Sequence, residues 1–185
     1  GSAASYNLIL GWEDAYPETT GYIVPTLYEY ADLTGTTRAA ERGTAMAEWL
    51  LDVQHERGSF PGGPGTGGDP NVFNTGQIVF GPAAAYERTV KGAYREAVAE
   101  ACEWLVEVQS PDGPWREFDY RGETHVYTTR VGWALLIGSQ VCDDDYGAAA
   151  QRLFDWARAQ QQPNGWFERA AFAPDDPPVL HTIAY

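Results

Sequence analysis

Trp104-Leu-Val-Glu-Val-Gln109-Ser-Pro-Asp-Gly113-Pro-Trp115 is the stretch that decides the fold, because the chain contains its pattern three times. The other two copies run from Trp49 to Phe60 and from Trp156 to Phe167. In each copy Trp precedes Gln by five residues, Gln precedes Gly by four, and Gly precedes an aromatic residue by two. The Trp positions advance by 55 and then 52 residues. Self-similarity at such a period predicts an array of repeated supersecondary units.

A second repeated phrase alternates with the first and centres on threonine. It occurs at Thr20, Thr75, Thr129 and Thr182, which are 55, 54 and 53 residues apart. Two phrases in each period of about 54 residues indicate two helices per repeat. Each repeat is therefore predicted to be a helical hairpin.

The two helices of each hairpin are predicted to differ in composition. Residues 38–54 and 93–109 are rich in Ala, Glu, Arg and Leu, and a glycine follows each within a few residues. The other helices, Tyr22–Leu33, Ile78–Tyr86 and Val131–Val141, are preceded by Thr or Asn caps and are apolar nearly all round. Apolar helices lie inside a fold and amphipathic ones outside. The glycines of the first phrase are expected to adopt positive φ in the turns.

We expect residues 1–185 to form one all-α domain, an α/α toroid that is an incomplete ring of roughly three hairpins. The repeats are expected at about 16–60, 70–115 and 125–167, with a fourth starting at 180–185. Because stacked hairpins expose their terminal faces, we expect a longer natural protein or self-association to complete the ring.

Composition limits the classes of partner. The chain has 12 basic and 26 acidic residues, a formal net charge of −14, which argues against nucleic acid or an anionic membrane. No apolar run could span a membrane and no signal pattern is present, so a cytoplasmic location is expected. Neither the three His nor the two Cys residues show metal-ligand spacing. No metal and no cofactor are therefore expected.

The phrases resemble those of known families. The Gln-x3-Gly-x-aromatic phrase, most closely Gln109 to Trp115, is similar to the repeat motif of squalene and terpene cyclases. The predicted helix arrangement resembles the α/α toroids of those cyclases, six-hairpin glycosidases, polysaccharide lyases and uronate epimerases. Tyr16 to Tyr22, with Phe73 to Gln77 and His181 to Tyr185, most resembles an uncharacterised toroid family associated with polysaccharide biosynthesis. The resemblance implies the fold, whereas chemistry has to be argued from a site.

The candidate site consists of the residues that precede the inner helices, because these segments converge at one end of a toroid. We refer to this end as the mouth. The predicted catalytic residues there are Glu18, His125, Tyr127, Arg130 and His181, and the predicted substrate-binding residues are Trp12, Tyr16, Asn74 and Gln77. Amides, phenols, an imidazole and a guanidinium suit a carbohydrate ligand.

Several of these residues also have a structural interpretation. Glu18 and Asn74 are equally suited to capping a helix N-terminus. His125 could be an ordinary surface residue of its loop, and Arg130 could form a structural ion pair with Glu18.

The predicted function is that of a carbohydrate-active protein, in particular a uronate lyase or C5-epimerase acting on an acidic glycan. A Tyr and a His would move the C5 proton, while Arg130 and Asn74 would neutralise the carboxylate. A glycoside hydrolase and a non-catalytic glycan-binding scaffold remain as alternatives, although only Glu18 supplies a carboxyl group at the mouth. Terpene cyclisation is judged unlikely because Asp143-Asp144-Asp145 does not match an Asp-x-Asp-Asp motif and follows an inner helix.

Overall fold

Six α-helices make up most of the part of the chain that the structure describes. The computed structural model describes residues 1–173, 175–180 and 182. In chain order the helices are α1 Pro17–Thr34, α2 Thr37–Val53, α3 Val72–Thr89, α4 Gly92–Glu107, α5 Thr129–Cys142 and α6 Gly147–Ala159. The predicted all-α class is confirmed, and the helices are those of an α/α-toroid fragment. No described helix has the length and apolar character needed to cross a bilayer.

The helices form three consecutive hairpins with α1, α3 and α5 packed side by side. Each of these inner helices also packs against the outer helix that follows it, α2, α4 or α6. Glycines allow the inner helices to approach closely: a Cβ on Gly21 would lie 2.5 Å from Ile78 Cα, and one on Gly76 would lie 2.9 Å from a methyl group of Val131. Larger side chains at these two positions would force α1, α3 and α5 apart.

The inner helices begin earlier than the sequence predicted, so the capping assignments need correction. The threonines of the second phrase lie within the first turn, where Thr20 and Thr75 donate their hydroxyls to the carbonyl oxygens of residues 16 and 71 at 2.7 Å. The cap of α3 is Asn71, whose Oδ1 accepts the backbone N–H of Asn74 at 2.9 Å. Asn74 is therefore not a cap, and Glu18 lies in the first turn of α1. Both side chains are available for other contacts.

The core lies between the inner and outer helices. Its largest fully buried side chains include Trp115, Leu50, Ile78, Leu105 and Leu135. The indole N–H of Trp115 donates to the Leu105 carbonyl oxygen at 2.9 Å, which satisfies the only polar atom of that side chain inside the core. Burial of these apolar surfaces is the main force that holds the hairpins together.

The turns that contain the first repeated phrase have the predicted backbone. Gly58, Gly113 and Gly165 have φ values of 89°, 112° and 86°, a region that favours glycine. Each turn ends an outer helix, and because that helix runs back along the inner helix before it, the turn lies at the same end of the hairpins as the mouth. The Phe60 N–H after the first turn accordingly donates to Thr75 Oγ1 in the first turn of α3, at 2.9 Å.

A short β-hairpin precedes α1 and was not predicted. Strand β1, Tyr6–Asn7, pairs antiparallel with β2, Gly11–Trp12, so that Tyr6 lies opposite Trp12. A further bridge between Ala3 and Ala15 joins the base of this hairpin to the start of α1.

Candidate active site

A cleft of about 350 Å³ lies where α1 and α3 begin. This volume falls within the range of small-ligand sites. The cleft is lined by five aromatic rings and four polar side chains: Tyr16, Phe73, Tyr120, Tyr127 and Phe172, with Glu18, Asn71, Asn74 and Thr182. Of the residues predicted for the site, the structure brings Tyr16, Glu18, Asn74 and Tyr127 together here.

Glu18 is the carboxylic acid of this cleft. It projects from the first turn of α1 and is only 8% exposed. Burial raises its pKa, while hydrogen bonding with Tyr16 and the positive charge of Arg130 oppose the rise. The raised pKa extends the pH range in which the carboxyl group carries a proton, and the two opposing contacts stabilise the anion that proton loss would leave. Glu18 is therefore suited to donate a proton to a ligand in the cleft.

Tyr16 connects Glu18 to Asn74. Its pKa is raised first by burial and then by its hydrogen bond to the Glu18 carboxylate, whereas the hydrogen bond to Asn74 lowers it. Asn74 is buried, and its Nδ2 donates to the Pro61 carbonyl oxygen at 3.3 Å. Burial keeps the Tyr16 phenol protonated, and the hydrogen bonds orient its hydroxyl group toward Glu18.

The opposite side of the cleft is a wall of aromatic rings. Tyr127 packs edge-on against Phe73, with ring centroids 5.0 Å apart and planes at 85°. Phe172 lies 6.2 Å from Tyr127 and 6.2 Å from Tyr120, in a tilted and an edge-on arrangement. Burial raises the pKa of Tyr127, which keeps this phenol neutral. Such rings present apolar surface and electron-rich faces, which attract cations.

Arg130 and Gln77 lie behind this cleft rather than in its lining. The Arg130 Nε donates to Gln77 Oε1 at 2.7 Å, and Gln77 is fully buried. The guanidinium carbon lies 5.4 Å from the centroid of Phe80 and 5.2 Å from that of Trp133. Arg130 therefore reaches the site through its charge, which lowers the pKa of Glu18. The prediction that Gln77 binds substrate directly needs correction, because its side chain is turned toward α5.

His125 also supports the site from behind. Its ring stacks on Tyr127 at 4.7 Å with planes 20° apart, and its Nδ1 lies 3.3 Å from Asp119 Oδ2. The other carboxylate oxygen of Asp119 accepts the Tyr120 backbone N–H at 2.7 Å. His125 is 2% exposed and lies beside a separate cleft of about 410 Å³. The alternative that His125 is an ordinary surface residue is therefore wrong. His125 is not among the residues that line the aromatic cleft, and its catalytic role stays a prediction.

The last two predicted site residues are Trp12 and His181. Trp12 is 77% exposed in the β-hairpin, where its ring packs edge-on against Tyr6 at 4.8 Å. Trp12 is not among the residues that line the cleft, so its assignment to substrate binding stays a prediction. His181 lies outside the residues that the structure describes.

Sequence reasoning also missed members of the site. Phe73 directly precedes Asn74 and could have been found from that position in the repeated phrase. Tyr120, Asp119 and Phe172 lie in segments that have no counterpart in the other repeats, so the period carried no signal for them.

The acidic run after α5 does not contribute to the cleft. Asp143, Asp144 and Asp145 are exposed, and Asp145 Oδ1 accepts the Gly147 backbone N–H at 3.1 Å before α6. The acidic run therefore forms a solvated turn. Within residues 1–173, 175–180 and 182, no group of three or more His, Cys, Asp or Glu side chains is placed to hold a metal ion.

Comparison with known proteins identifies the family. Residues 13–185 match the model of the squalene-hopene cyclase C-terminal domain. The protein named "Probable squalene--hopene cyclase" from Sinorhizobium fredii (strain NBRC 101917 / NGR234) is 28% identical over 173 residues. That alignment covers 89% of this chain and 25% of the relative, so the chain spans about a quarter of the relative's length. No solved structure matches the chain.

These matches overturn the function predicted from the sequence. Terpene cyclisation was judged unlikely because the acidic run did not fit, but the family match covers all of the chain after Trp12 and points to cyclase-type chemistry. The prediction was wrong because it required the catalytic acid to lie in an Asp-x-Asp-Asp motif. Glu18 supplies a buried carboxyl group outside any such motif. Neither match supports the carbohydrate substrate or the association with polysaccharide metabolism. The chain belongs to the squalene-hopene cyclase C-terminal domain family.

Proposed function

We propose that the aromatic cleft binds an isoprenoid hydrocarbon and that Glu18 protonates one of its double bonds, as the first step of a terpenoid-cyclase-type reaction. One observation carries the proposal: a buried carboxyl group with a raised pKa lines a cleft whose other walls are mostly aromatic rings. Family membership and the name of the relative support the substrate class. Because the chain spans a quarter of that relative, the activity of the whole protein is part of the proposal.

The first step transfers one proton. The Glu18 O–H bond breaks, the π electrons of the alkene form the new C–H bond, and the more substituted carbon becomes a tertiary carbocation. Glu18 is left as a carboxylate, which the Tyr16 hydrogen bond and the Arg130 charge stabilise. These two contacts favour the products of proton transfer, so they lower the barrier to it.

The aromatic wall stabilises the carbocation. Each ring within about 6 Å of a cation contributes on the order of 0.5–2 kcal/mol, more where water is excluded. The neutral phenols of Tyr16 and Tyr127 are weak nucleophiles, so they do not trap the cation readily. Apart from Glu18, the lining residues are aromatic, amide or hydroxyl side chains. Such a lining lets the cation persist while new C–C bonds form within the substrate.

Turnover is the direct test. The protein is incubated with squalene and with shorter linear polyprenes in deuterated water, and the products are analysed by mass spectrometry. We expect cyclised products that carry one solvent deuterium. E18Q should lower the rate by roughly 10²–10⁴-fold, the usual contribution of a general acid. E13Q makes the same change at an exposed residue five positions earlier and should retain the rate. Equal rates in E18Q and E13Q would remove Glu18 from the role of acid.

A binding test probes the aromatic wall without turnover. A prenyl chain that carries a protonated tertiary amine mimics the carbocation, and its affinity is compared with that of a neutral hydrocarbon of the same shape. We expect the cation to bind more tightly, and F172L to reduce this preference by roughly 2- to 30-fold. Y30L, which removes an exposed ring far along α1, is the control. No preference for the cation in the wild-type protein would contradict the proposed stabilisation.

A further inference from the structure

A second cleft, of about 410 Å³, lies beside His125 and shares no lining residue with the aromatic cleft. One wall is formed by residues 123–125, which precede α5, and the other by residues that follow α6, the first of them Gln162. Its volume lies within the range of small-ligand sites. The proposed reaction uses none of these lining residues, so the second cleft still lacks a function.

Backbone hydrogen bonds hold the two walls of the second cleft in place. The Val126 N–H donates to the Arg169 carbonyl oxygen at 3.2 Å, which joins the wall before α5 to the wall after α6. Within the second wall, the Gln162 N–H donates to the Trp166 carbonyl oxygen at 2.7 Å. A ligand that enters between walls held in this way loses less affinity to ordering of the protein.

His125 presents a buried hydrogen-bond acceptor to the second cleft. Its Nδ1 lies 3.3 Å from Asp119 Oδ2, and because a carboxylate can only accept, Nδ1 carries the proton of the neutral ring. Nε2 then holds a lone pair, is buried, and has no hydrogen-bond partner among the described residues. Tyr127 covers one face of the imidazole and Asp119 its Nδ1 side. The Nε2 side is therefore left for the cleft that His125 lines.

This acceptor indicates what kind of group a ligand has to offer. Buried polar atoms in folded proteins nearly always have a hydrogen-bond partner, so an exception needs an explanation. The tautomer that Asp119 selects leaves His125 Nε2 able only to accept, and the ligand must therefore be the donor. An N–H or O–H group in the second cleft would supply the missing bond.

The charged residues of the second cleft favour a cation. Its lining includes the carboxylates of Glu123, Glu168 and Asp176 and the guanidinium of Arg169. Arg169 Nη1 lies 4.0 Å from Glu123 Oε2, and their side chains are 51% and 39% exposed, so this ion pair is weak. Glu168 and Asp176 are exposed. Because the carboxylates outnumber the positive charge, the cleft attracts cations and repels anions.

The apolar part of the second cleft suits the carbon skeleton of an organic ligand. Trp166 and Phe167 line it and are both half-buried, so each keeps accessible ring surface. Aromatic rings attract cations as well as apolar groups. Ala170 and Ala171 also line the cleft, and their small side chains leave room for a ligand.

We propose that the second cleft binds a small organic amine in its protonated form. One ammonium N–H donates to His125 Nε2. The carboxylates of Glu168 and Asp176 balance the charge, and the apolar part of the ligand packs against Trp166 and Phe167. The inference concerns a cleft that the proposed reaction does not use, and it does not depend on that reaction.

Other classes of ligand fit these observations less well. The carboxylates would repel an anion, and a hydrocarbon has no N–H or O–H group to donate to Nε2. In the described part of the chain, no group of three or more His, Cys, Asp or Glu side chains is placed to hold a metal ion. A neutral alcohol could donate to Nε2 but would gain nothing from the surrounding carboxylates.

Isothermal titration calorimetry with three probes of similar shape tests the ligand class. At neutral pH phenethylamine is a cation, phenethyl alcohol is neutral and hydrocinnamate is an anion. We expect phenethylamine to bind at least about tenfold more tightly than phenethyl alcohol, because an ammonium N–H forms a charge-assisted hydrogen bond. Hydrocinnamate should not bind. Equal affinity for the amine and the alcohol would overturn the proposed ligand class.

The H125N variant tests the contact with Nε2. The Asn amide reaches about as far as Nδ1, so it can still donate to Asp119, but it has no atom in the place of Nε2. We expect H125N to bind phenethylamine at least about tenfold more weakly. H55N is the matched control, because His55 Nδ1 lies 3.0 Å from Ser59 Oγ in the first turn and the same change there should leave the affinity unchanged. Melting temperatures check that both variants fold.

The double variant E168Q/D176N tests the charge without altering a buried side chain. We expect it to bind phenethylamine several-fold more weakly than the wild type at low salt, with the difference shrinking as salt is added. D143N/D144N removes two exposed carboxylates from the turn after α5 and should bind like the wild type. Unchanged affinity in E168Q/D176N would contradict the role of the carboxylates.

E18Q separates the second cleft from the aromatic cleft, which also attracts cations. It removes the carboxyl group of the aromatic cleft and should retain the affinity for phenethylamine that H125N loses. Wild-type affinity in H125N, or a loss in E18Q as large as that in H125N, would overturn the inference and assign the amine to another site. The titrations measure no turnover, so their failure would leave the proposed reaction standing, and an inactive enzyme would leave this inference standing.

Discussion

The turns that end the outer helices and the segments that line the cleft lie at the same end of the hairpins, but they differ in how closely the repeats resemble one another. At the turns that end the outer helices, the sequence phrase recurs with identical spacing. At the mouth, the repeats contribute different side chains to the cleft: Glu18 from the first, Asn74 from the second and Tyr127 from the third. Repetition therefore marks the contacts that hold hairpins together, and divergence marks the place where chemistry is expected.

The first two turns dock in the same way on the outer helix of the next hairpin. Gln54 Nε2 donates to the carbonyl oxygens of Gly58 and Ala97, both at 2.9 Å. Gln109 Nε2 donates to those of Gly113 and Ala149 at 2.8 and 2.9 Å. Each amide thus closes its own turn and bonds to α4 or α6. These two Gln residues therefore tie one hairpin to its neighbour.

The third turn keeps the local closure and lacks the docking contact. Gln161 Nε2 lies 3.3 Å from the Gly165 carbonyl oxygen, and both residues are exposed. Phe167 is half-buried, whereas its counterparts Phe60 and Trp115 are each 1% exposed. In the described part of the chain no further outer helix follows on which this turn could dock. Comparing the second turn with the third therefore separates two contributions to stability, that of docking on the next outer helix and that of the turn geometry itself.

The largest effect is expected from alanine at the second turn glycine. A Cβ on Gly113 would lie 2.3 Å from the Arg152 carbonyl oxygen, and φ is 112°. G113A therefore combines backbone strain with overpacking against α6, and we expect a loss of about 3 kcal/mol or more in the free energy of unfolding. G165A has positive φ but no atom within 4 Å of its Cβ, so it should lose only about 1 kcal/mol. Denaturant unfolding of both variants measures the difference.

G58A provides an independent check of this interpretation. A Cβ there would lie 2.2 Å from the Glu100 carbonyl oxygen, so it should behave like G113A. If all three alanine variants lost the same free energy, docking would add nothing to the cost of positive φ, and the comparison between turns would fail.

A smaller effect is expected from removing the amide. Q109A loses the bonds to Gly113 and Ala149 and leaves their carbonyl oxygens without that donor, so we expect a loss of about 2 kcal/mol. Q161A removes one long bond at an exposed position and should cost less than about 0.5 kcal/mol. The same unfolding experiment compares the two variants. Similar losses would mean that the contact with α6 contributes little.

The repeated turns could be predicted from the sequence, and the lining of the cleft only in part. Periodicity predicted the helical hairpins and the positive φ of the turn glycines, because these depend on contacts that recur. The placement of side chains at the mouth depends on where each inner helix begins, and α1, α3 and α5 begin two to six residues before the predicted first residue. A shift of one or two residues turns a helical side chain through 100° or 200°. Gln77 thus faces Arg130 instead of the cleft.

The repeat pattern could not predict contacts between segments that have no counterpart in the other repeats. Asp119 fixes His125, and Phe172 completes the aromatic wall, although neither has a counterpart in another repeat. The β-hairpin that carries Trp12 is equally unrepeated. Such pairings are determined by tertiary packing, which cannot be deduced from the sequence of one protein alone.

The smallest expected effect is the pH dependence of stability that Glu18 causes. It distinguishes the lining of the cleft from the turns, which carry no such buried acid. Its pKa in the folded protein is raised above the ordinary value of 4.5, mainly by burial. The protonated group therefore contributes stability that is complete below pH 4.5 and is lost as pH rises through the folded pKa. E18Q cannot ionise, so its melting temperature should rise relative to the wild type over that interval and then keep a constant difference.

Tyr16 allows this explanation to be tested against a general effect of the substitution. Its hydrogen bond lowers the pKa of Glu18, so Y16F should raise that pKa further and move the loss of stability to higher pH. G165A changes a turn outside the lining of the cleft and should shift the melting temperature equally at every pH. If E18Q and the wild type instead differed by a constant amount from pH 4 to 8, ionisation of Glu18 would cost the folded protein nothing. The carboxyl group would then be no better a proton donor than an exposed one, and the case for chemistry at the mouth would have to rest on the aromatic wall alone.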